Sequence, residues 1–266
     1  MVWINNQRPR MVMLRLSFFF VAFLSSIAFA HEIHVSNQYI QINKQKSHGF
    51  QSTVIGTAEI NQKWSLGLLA NYLERFSFYE NRLGALATYK PSDLFTIEAR
   101  FIKAEGGTKI LPEDQYRMTV YHRLSEGLTP FFSYQDSTYS ITHLQTVNFG
   151  MEIEKIKNFI VIPQLMMGQA RFKDPIHSRE VNSIGLKIIY SVENDYAFFL
   201  FGNKGIEASQ SITGEAAKTL NTKTGGLGAN YYINSTLKLE GLFDYTDYEE
   251  LSNQFLTSTV NLTWML

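Results

Sequence analysis

The chain has 266 residues, 24 basic and 24 acidic side chains, 20 Phe, 14 Tyr and no Cys. Balanced charge excludes association driven by bulk cationic charge, as with nucleic acid or an anionic membrane surface, and the lack of Cys excludes a disulfide framework. A mean hydropathy just below zero excludes a bundle of membrane helices but not a membrane β-barrel, in which only alternate residues meet lipid.

In chain order, Met1–Ala30 reads as an export signal. Arg8, Arg10 and Arg15 accompany an apolar run from Leu16 to Ile27, and Ala28-Phe29-Ala30 forms a small-residue cleavage box. The run is too short to span a bilayer as a helix, which takes about 20 residues. Met11 or Met13 offers an alternative start, and the mature chain begins at His31, so that residues 31–266 form one barrel domain.

From there the chain is a series of segments in which apolar and polar residues alternate, the signature of strands with one face to lipid. The segments are Val35–Ile42 (ambiguous in parity), Phe50–Ile60, Trp64–Phe76, Arg82–Lys90, Leu94–Ala104, Gln115–Leu124 and Leu128–Gln135. They continue with Leu144–Glu154, Phe159–Ala170, Ser183–Ser191, Tyr196–Lys204, Thr224–Ile233, Leu237–Thr246 and Asn253–Leu266. In Tyr196–Lys204 the apolar set Ala197, Phe199 and Phe201 is assigned outward and Gly202 and Lys204 inward. In the last segment Leu256, Val260, Leu262, Trp264 and Leu266 share one parity, and Thr257, Thr259, Asn261 and Thr263 the other. The expectation is an all-β, antiparallel up-and-down transmembrane barrel of about 14 strands, an even number. Pro130 and Pro163 fall inside segments and call for bulges or strand-end positions.

Connections alternate in length. Asn61-Gln62, Lys90–Asp93, Ser125–Gly127, Lys155–Asn158, Glu193–Asp195 and Asn234-Ser235 are short and turn-like, whereas Glu105–Asp114, Asp136–His143, Arg171–Glu180, Gly205–Thr222 and Asp247–Asn253 are longer. With both termini periplasmic, short turns fall on the periplasmic side and long loops outside. Trp64, Tyr89, Phe95, Phe159, Tyr190, Tyr196, Tyr231 and Trp264 sit beside short turns, and Tyr72, Phe76, Phe101, Tyr134, Tyr139 and Tyr245 near long connections. Two aromatic belts suit two membrane–water interfaces.

The closing L-T-W-M-L (Leu262–Leu266), the strand count and the chain size resemble the YaiO family of outer-membrane barrel proteins, as does E-N-D-Y-A-F-F-L-F-G-N-K-G (Glu193–Gly205). The resemblance covers most of the mature chain. It implies an outer-membrane barrel and brings no established reaction or catalytic residue.

By parity the lumen receives Arg75, Arg82, Lys90, Arg100, Arg117, Arg123, Lys187, Lys204 and Lys238, together with Glu59, Glu98, Glu152, Glu154, Glu240 and Asp244. These charges suit either a selectivity lining for a polar solute or glycan, or a ladder of ion pairs that fills the barrel. Barrels of about eight strands are filled and those of about sixteen conduct water, so the size alone leaves both open. Two weaker constellations are His31–His34, which lacks a third fixed metal ligand, and the outer-loop groups Ser140–His143 and Asp174–Glu180, which would serve a lipid-modifying hydrolase. The favoured expectation is a non-enzymatic barrel with a transport or envelope role and no cofactor. A surface platform acting through its outer loops is the remaining alternative. Expected partners are outer-membrane lipid and lipopolysaccharide, and the barrel-assembly machinery acting on the C-terminal strand, with no nucleic acid.

Overall fold

The computed structural model describes residues 30–42, 47–75, 78–105, 111–173, 176–192, 195–209, 218–249 and 253–266. The segment before Ala30, where an export signal is expected, Phe76, Asp174-Pro175 and residues 210–217 of the longest connection lie outside them, as does the side chain of Arg75. Fourteen strands follow one another: β1 (Glu32–Ile42), β2 (Ser47–Asn61), β3 (Trp64–Arg75), β4 (Phe78–Ser92), β5 (Phe95–Ala104), β6 (Asp114–His122) and β7 (Leu128–Thr138). The second half comprises β8 (Thr142–Ile156), β9 (Phe159–Lys173), β10 (Ile176–Val192), β11 (Tyr196–Ser209), β12 (Lys218–Tyr232), β13 (Leu237–Tyr248) and β14 (Asn253–Met265). Each strand pairs antiparallel with its sequence neighbours, and β14 closes on β1 from Glu32↔Met265 to Ile42↔Phe255.

The tight connections are built by residues suited to them. Asn61 Oδ1 accepts from Lys63 N at 2.9 Å and Trp64 N at 3.0 Å, and Asn234 Oδ1 accepts from Thr236 N at 2.9 Å. Asn158 (φ 67°) and Gly127 (φ 71°) supply the left-handed residues of two others. These connections, the start of β1 and the end of β14 share one rim, here the turn end; the opposite rim is the loop end.

Residues paired across strands share a face, so register assigns every side chain. On β9 the outward positions Phe159, Val161, Pro163, Leu165 and Met167 are apolar, and the next two, Gln169 and Arg171, are polar. On β12 and β13 the outward apolar set ends at Gly225 and Tyr245, below Lys223 and Asp247. The apolar band is about 20–25 Å tall once strands tilt by the usual 35–45°. Stacked aromatic pairs mark its turn-side edge: Trp64–Tyr89 with centroids 4.4 Å apart and Tyr196–Tyr231 at 4.9 Å. Phe101–Tyr116, at 4.7 Å, lies toward the loop end.

The strands are longer than their alternating segments. β9 and β10 are separated by two residues where a loop from Arg171 to Glu180 was expected, and β7 and β8 by three where Asp136–His143 was. Polar outward residues mark the point where a strand leaves lipid, and backbone pairing continues past it. At Pro163, which has no N–H, no β8 pair is formed between Gly150↔Gln164 and Ile153↔Val161, the register shift follows between Ile153 and Ile156, and pairing with β10 through Leu186 is unbroken. Pro130 occupies the third position of β7, near the turn end.

β11 corrects the sequence expectation. Lys187↔Phe201 and Ile188↔Leu200 turn Ala197, Phe199 and Phe201 inward and Leu200, Gly202 and Lys204 outward. Phe199 is 7% exposed and Leu200 57%. This strand is apolar on both faces, so hydrophobicity does not reveal its parity. Space decides it: the Phe199 and Phe201 rings lie over Gly228 and Gly226, where an added Cβ would stand 2.3 and 2.5 Å from ring carbons.

Two outcomes test this register. The chain contains no Cys, so single nitroxide labels can be placed at will. In vesicles a label at Leu200→Cys should relax with membrane-dissolved oxygen, and one at Asn203→Cys with a water-soluble nickel chelate; the reverse pattern would restore the opposite parity. An added Cβ at Gly228 would also approach Gly241 O to 2.5 Å, whereas one at Gly241 would meet nothing within 4 Å. Gly228→Ala should therefore lose about 1–3 kcal/mol in urea unfolding from vesicles, and Gly241→Ala should change stability by less than about 0.5 kcal/mol.

Candidate functional site: the barrel interior

The interior divides into two zones along the barrel axis. Toward the loop end, inward Leu73, Ile102, Val181 and Leu220 are at most 2% exposed. Ala170, Phe172 and Val181 cluster there with Ile141 and Leu144 against them, and Ile40 packs on Phe255 and Tyr248. The same zone holds a polar strap. Arg82 donates from Nε at 3.2 Å and from an Nη at 3.1 Å to Asn71 Oδ1, while Asn71 Nδ2 donates to Thr53 Oγ1 at 2.7 Å. Leu111 N donates to Glu80 Oε2 at 3.0 Å, tying the β5–β6 connection to the β4 wall.

Most of the other inward charges lie below this zone, in the middle and turn-side half of the barrel. Register faces Glu98 and Arg100 on β5, Arg117 on β6, Glu152 on β8, Lys187 on β10 and Lys238, Glu240 and Asp244 on β13 inward. Some of these groups are fixed by neighbours. Glu240 accepts from Asn261 Nδ2 at 2.7 Å and lies 3.5 Å from Lys238 Nζ. Lys187 Nζ stands 4.9 Å from the Phe199 ring centroid, within cation–π reach. Arg117 Nε donates to Ser133 Oγ at 3.1 Å, and Thr119 Oγ1 donates to the same oxygen at 3.0 Å. Arg100 stands opposite Arg117 in register, and its Nε is buried with no hydrogen-bond partner.

Of the other sequence-derived positions, Arg123 lies one residue beyond β6, exposed at the turn-side rim, and Lys204 is on the outer wall. Asn71, Thr53 and Ser133, which orient the arginines, were not singled out in the sequence. Their only signal is a small polar residue on the inward parity of a neighbouring strand, which becomes specific once register is known.

The described residues of the weaker constellations are split between the two faces of the wall. His143 faces outward, with Nε2 2.8 Å from Asp136 Oδ1, and Asp136 also accepts from Gln145 Nε2 at 2.9 Å and from the Tyr134 hydroxyl at 3.2 Å. This is a carboxylate–imidazole pair whose described partners include no serine. His177 faces inward and stacks on Phe172 at 4.5 Å. His34 Nδ1 lies 3.0 Å from Thr263 Oγ1, and no group of three His, Cys, Asp or Glu among the described residues could hold a metal.

No family model matches the chain, and no curated protein matches it. Solved structures are similar in fold at low identity. The CymD monoaromatic hydrocarbon channel has 10% identity and a TM-score of 0.57, with 88% of each chain covered. A bacterial polysaccharide outer membrane secretin has 13% identity and a TM-score of 0.55, with 88% of this chain and 98% of that one covered. The anion-selective porin from Comamonas acidovorans has 8% identity and a TM-score of 0.51 over the same shares. At such identities the likeness shows the fold alone: this chain is a closed, fourteen-stranded antiparallel barrel of the outer-membrane type.

Proposed function

We propose that the protein is a non-enzymatic outer-membrane pore, exported through its N-terminal signal, that passes a polar solute through a gated lumen. The observation that carries this reading is the two-zone interior. A ring of charges on the turn side, behind an apolar outer wall, suits a water-filled vestibule rather than a packed core. We read Leu73, Ile102, Val181 and Leu220, buried and inward-facing toward the loop end, as an apolar collar, since a hydrophobic constriction gates by excluding water. The signal and the YaiO resemblance support the envelope location and periplasmic termini. The outward, serine-free Asp136–His143 pair favours transport over hydrolysis.

Planar-bilayer recording of purified, refolded protein tests the reading. Wild type should show brief openings, and Leu73→Ala with Leu220→Ala should lengthen them several-fold by weakening the collar. Native-like faster migration on unboiled gels would certify that both proteins are folded. Silence from both folded proteins would overturn the pore, and so would recovery of the native protein in the soluble periplasmic fraction.

A further inference from the structure

Two arginines in register on one wall, both facing the lumen, are an arrangement that folding alone does not favour. Directly opposed like charges repel, yet Arg100 on β5 and Arg117 on β6 are cross-strand partners. Among the described residues neither forms an ion pair with a carboxylate. Arg82, one strand further round and nearer the loop end, extends the cationic strip and is spent on Asn71.

The surroundings position these groups without neutralising them. Ser133 Oγ accepts a hydrogen bond from Arg117 Nε and thereby sets the plane of that guanidinium. Arg100 Nε is shielded from water and unmatched by any acceptor. The acidic residue nearest along β5, Glu98, stands opposite Thr119, one inward step toward the turn end. Glu152 also lies toward the turn end of its strand, and Glu240 is already engaged by Asn261 and Lys238. Gln135 stands opposite Arg117 on the same face and, beyond the N–H it gives Ser137 Oγ, has a second amide N–H to offer.

Within the pore reading, we propose that Arg100 and Arg117 form a binding site for an oxyanion carried by the solute: the carboxylate of an acidic sugar or a phosphate group. Guanidinium forks match the paired oxygens of both groups, and two adjacent forks can hold one anion from two sides. Arg117 is exposed and Arg100 half-buried, so the accessible N–H groups of the two forks meet the ligand, and the repulsion between the two cations is relieved on binding. Arginine suits this task better than lysine because its donors are planar and fixed.

The test measures binding separately from conduction. Detergent-folded protein is titrated calorimetrically with glucuronate and, separately, with inorganic phosphate. Wild type should bind at least one of them, more weakly as salt rises, and the binding arm identifies the oxyanion class. Arg100→Gln with Arg117→Gln should weaken binding about tenfold or more. Arg100→Lys with Arg117→Lys should recover only part of it, because charge returns without the fork. Lys103→Gln on the outer wall should bind as wild type does. Unboiled gel migration checks the fold of each variant. Absence of binding by wild type to both anions, or equal binding by the double glutamine variant, would overturn the site. Absence of conductance with binding intact would overturn the pore and leave the site standing.

Discussion

Closure of β1 on β14 is the constraint on which the rest of the structure depends. In hydrocarbon no water is present to satisfy an open strand edge, so every backbone N–H and C=O must find a partner within the sheet. Eleven consecutive residue pairs from Glu32↔Met265 to Ile42↔Phe255 complete the ring, and Leu266 N donates to His31 O at 2.7 Å beyond the last of them. With the ring closed, inside and outside become distinct surfaces, and alternation along each strand acquires its meaning.

Much of this was legible in the amino-acid order, for a physical reason. β13 alternates Leu239 and Phe243 with Glu240 and Asp244, and only one assignment of faces puts carboxylates away from lipid. All fourteen alternating segments correspond to strands. β11 was illegible by the same criterion because Phe198 and Leu200 compete with Phe199 and Phe201 for the outer face. What separates them is the pair of glycines on β12 that makes room inside for two rings. That information belongs to the neighbouring strand and to register, which one-strand periodicity does not contain. Lys204, on the opposite parity to Phe199, was placed inward for the same reason and lies outward.

The charged positions were legible as inward but not as a pattern. Parity places Arg100 and Arg117 in the lumen, and pairing sets them against each other. The apolar loop-side interior was the less visible half. Leu73 and Leu220 occupy inward positions in a chain where inward residues are mostly polar. They resemble lapses in alternation until register shows both to be inward and buried in the loop-side half.

The strands that rise beyond the apolar band carry a further consequence. Gln145, Gln169 and Arg171 project outward from backbone still hydrogen-bonded on both sides. A protease binds its substrate as an unpaired, extended segment, and a paired strand in a closed ring cannot be drawn out locally without breaking its neighbours' ladders. Enzymes meeting the loop end are left with the connections between strands as targets, so the height of the paired wall above the lipid itself protects the chain against cleavage.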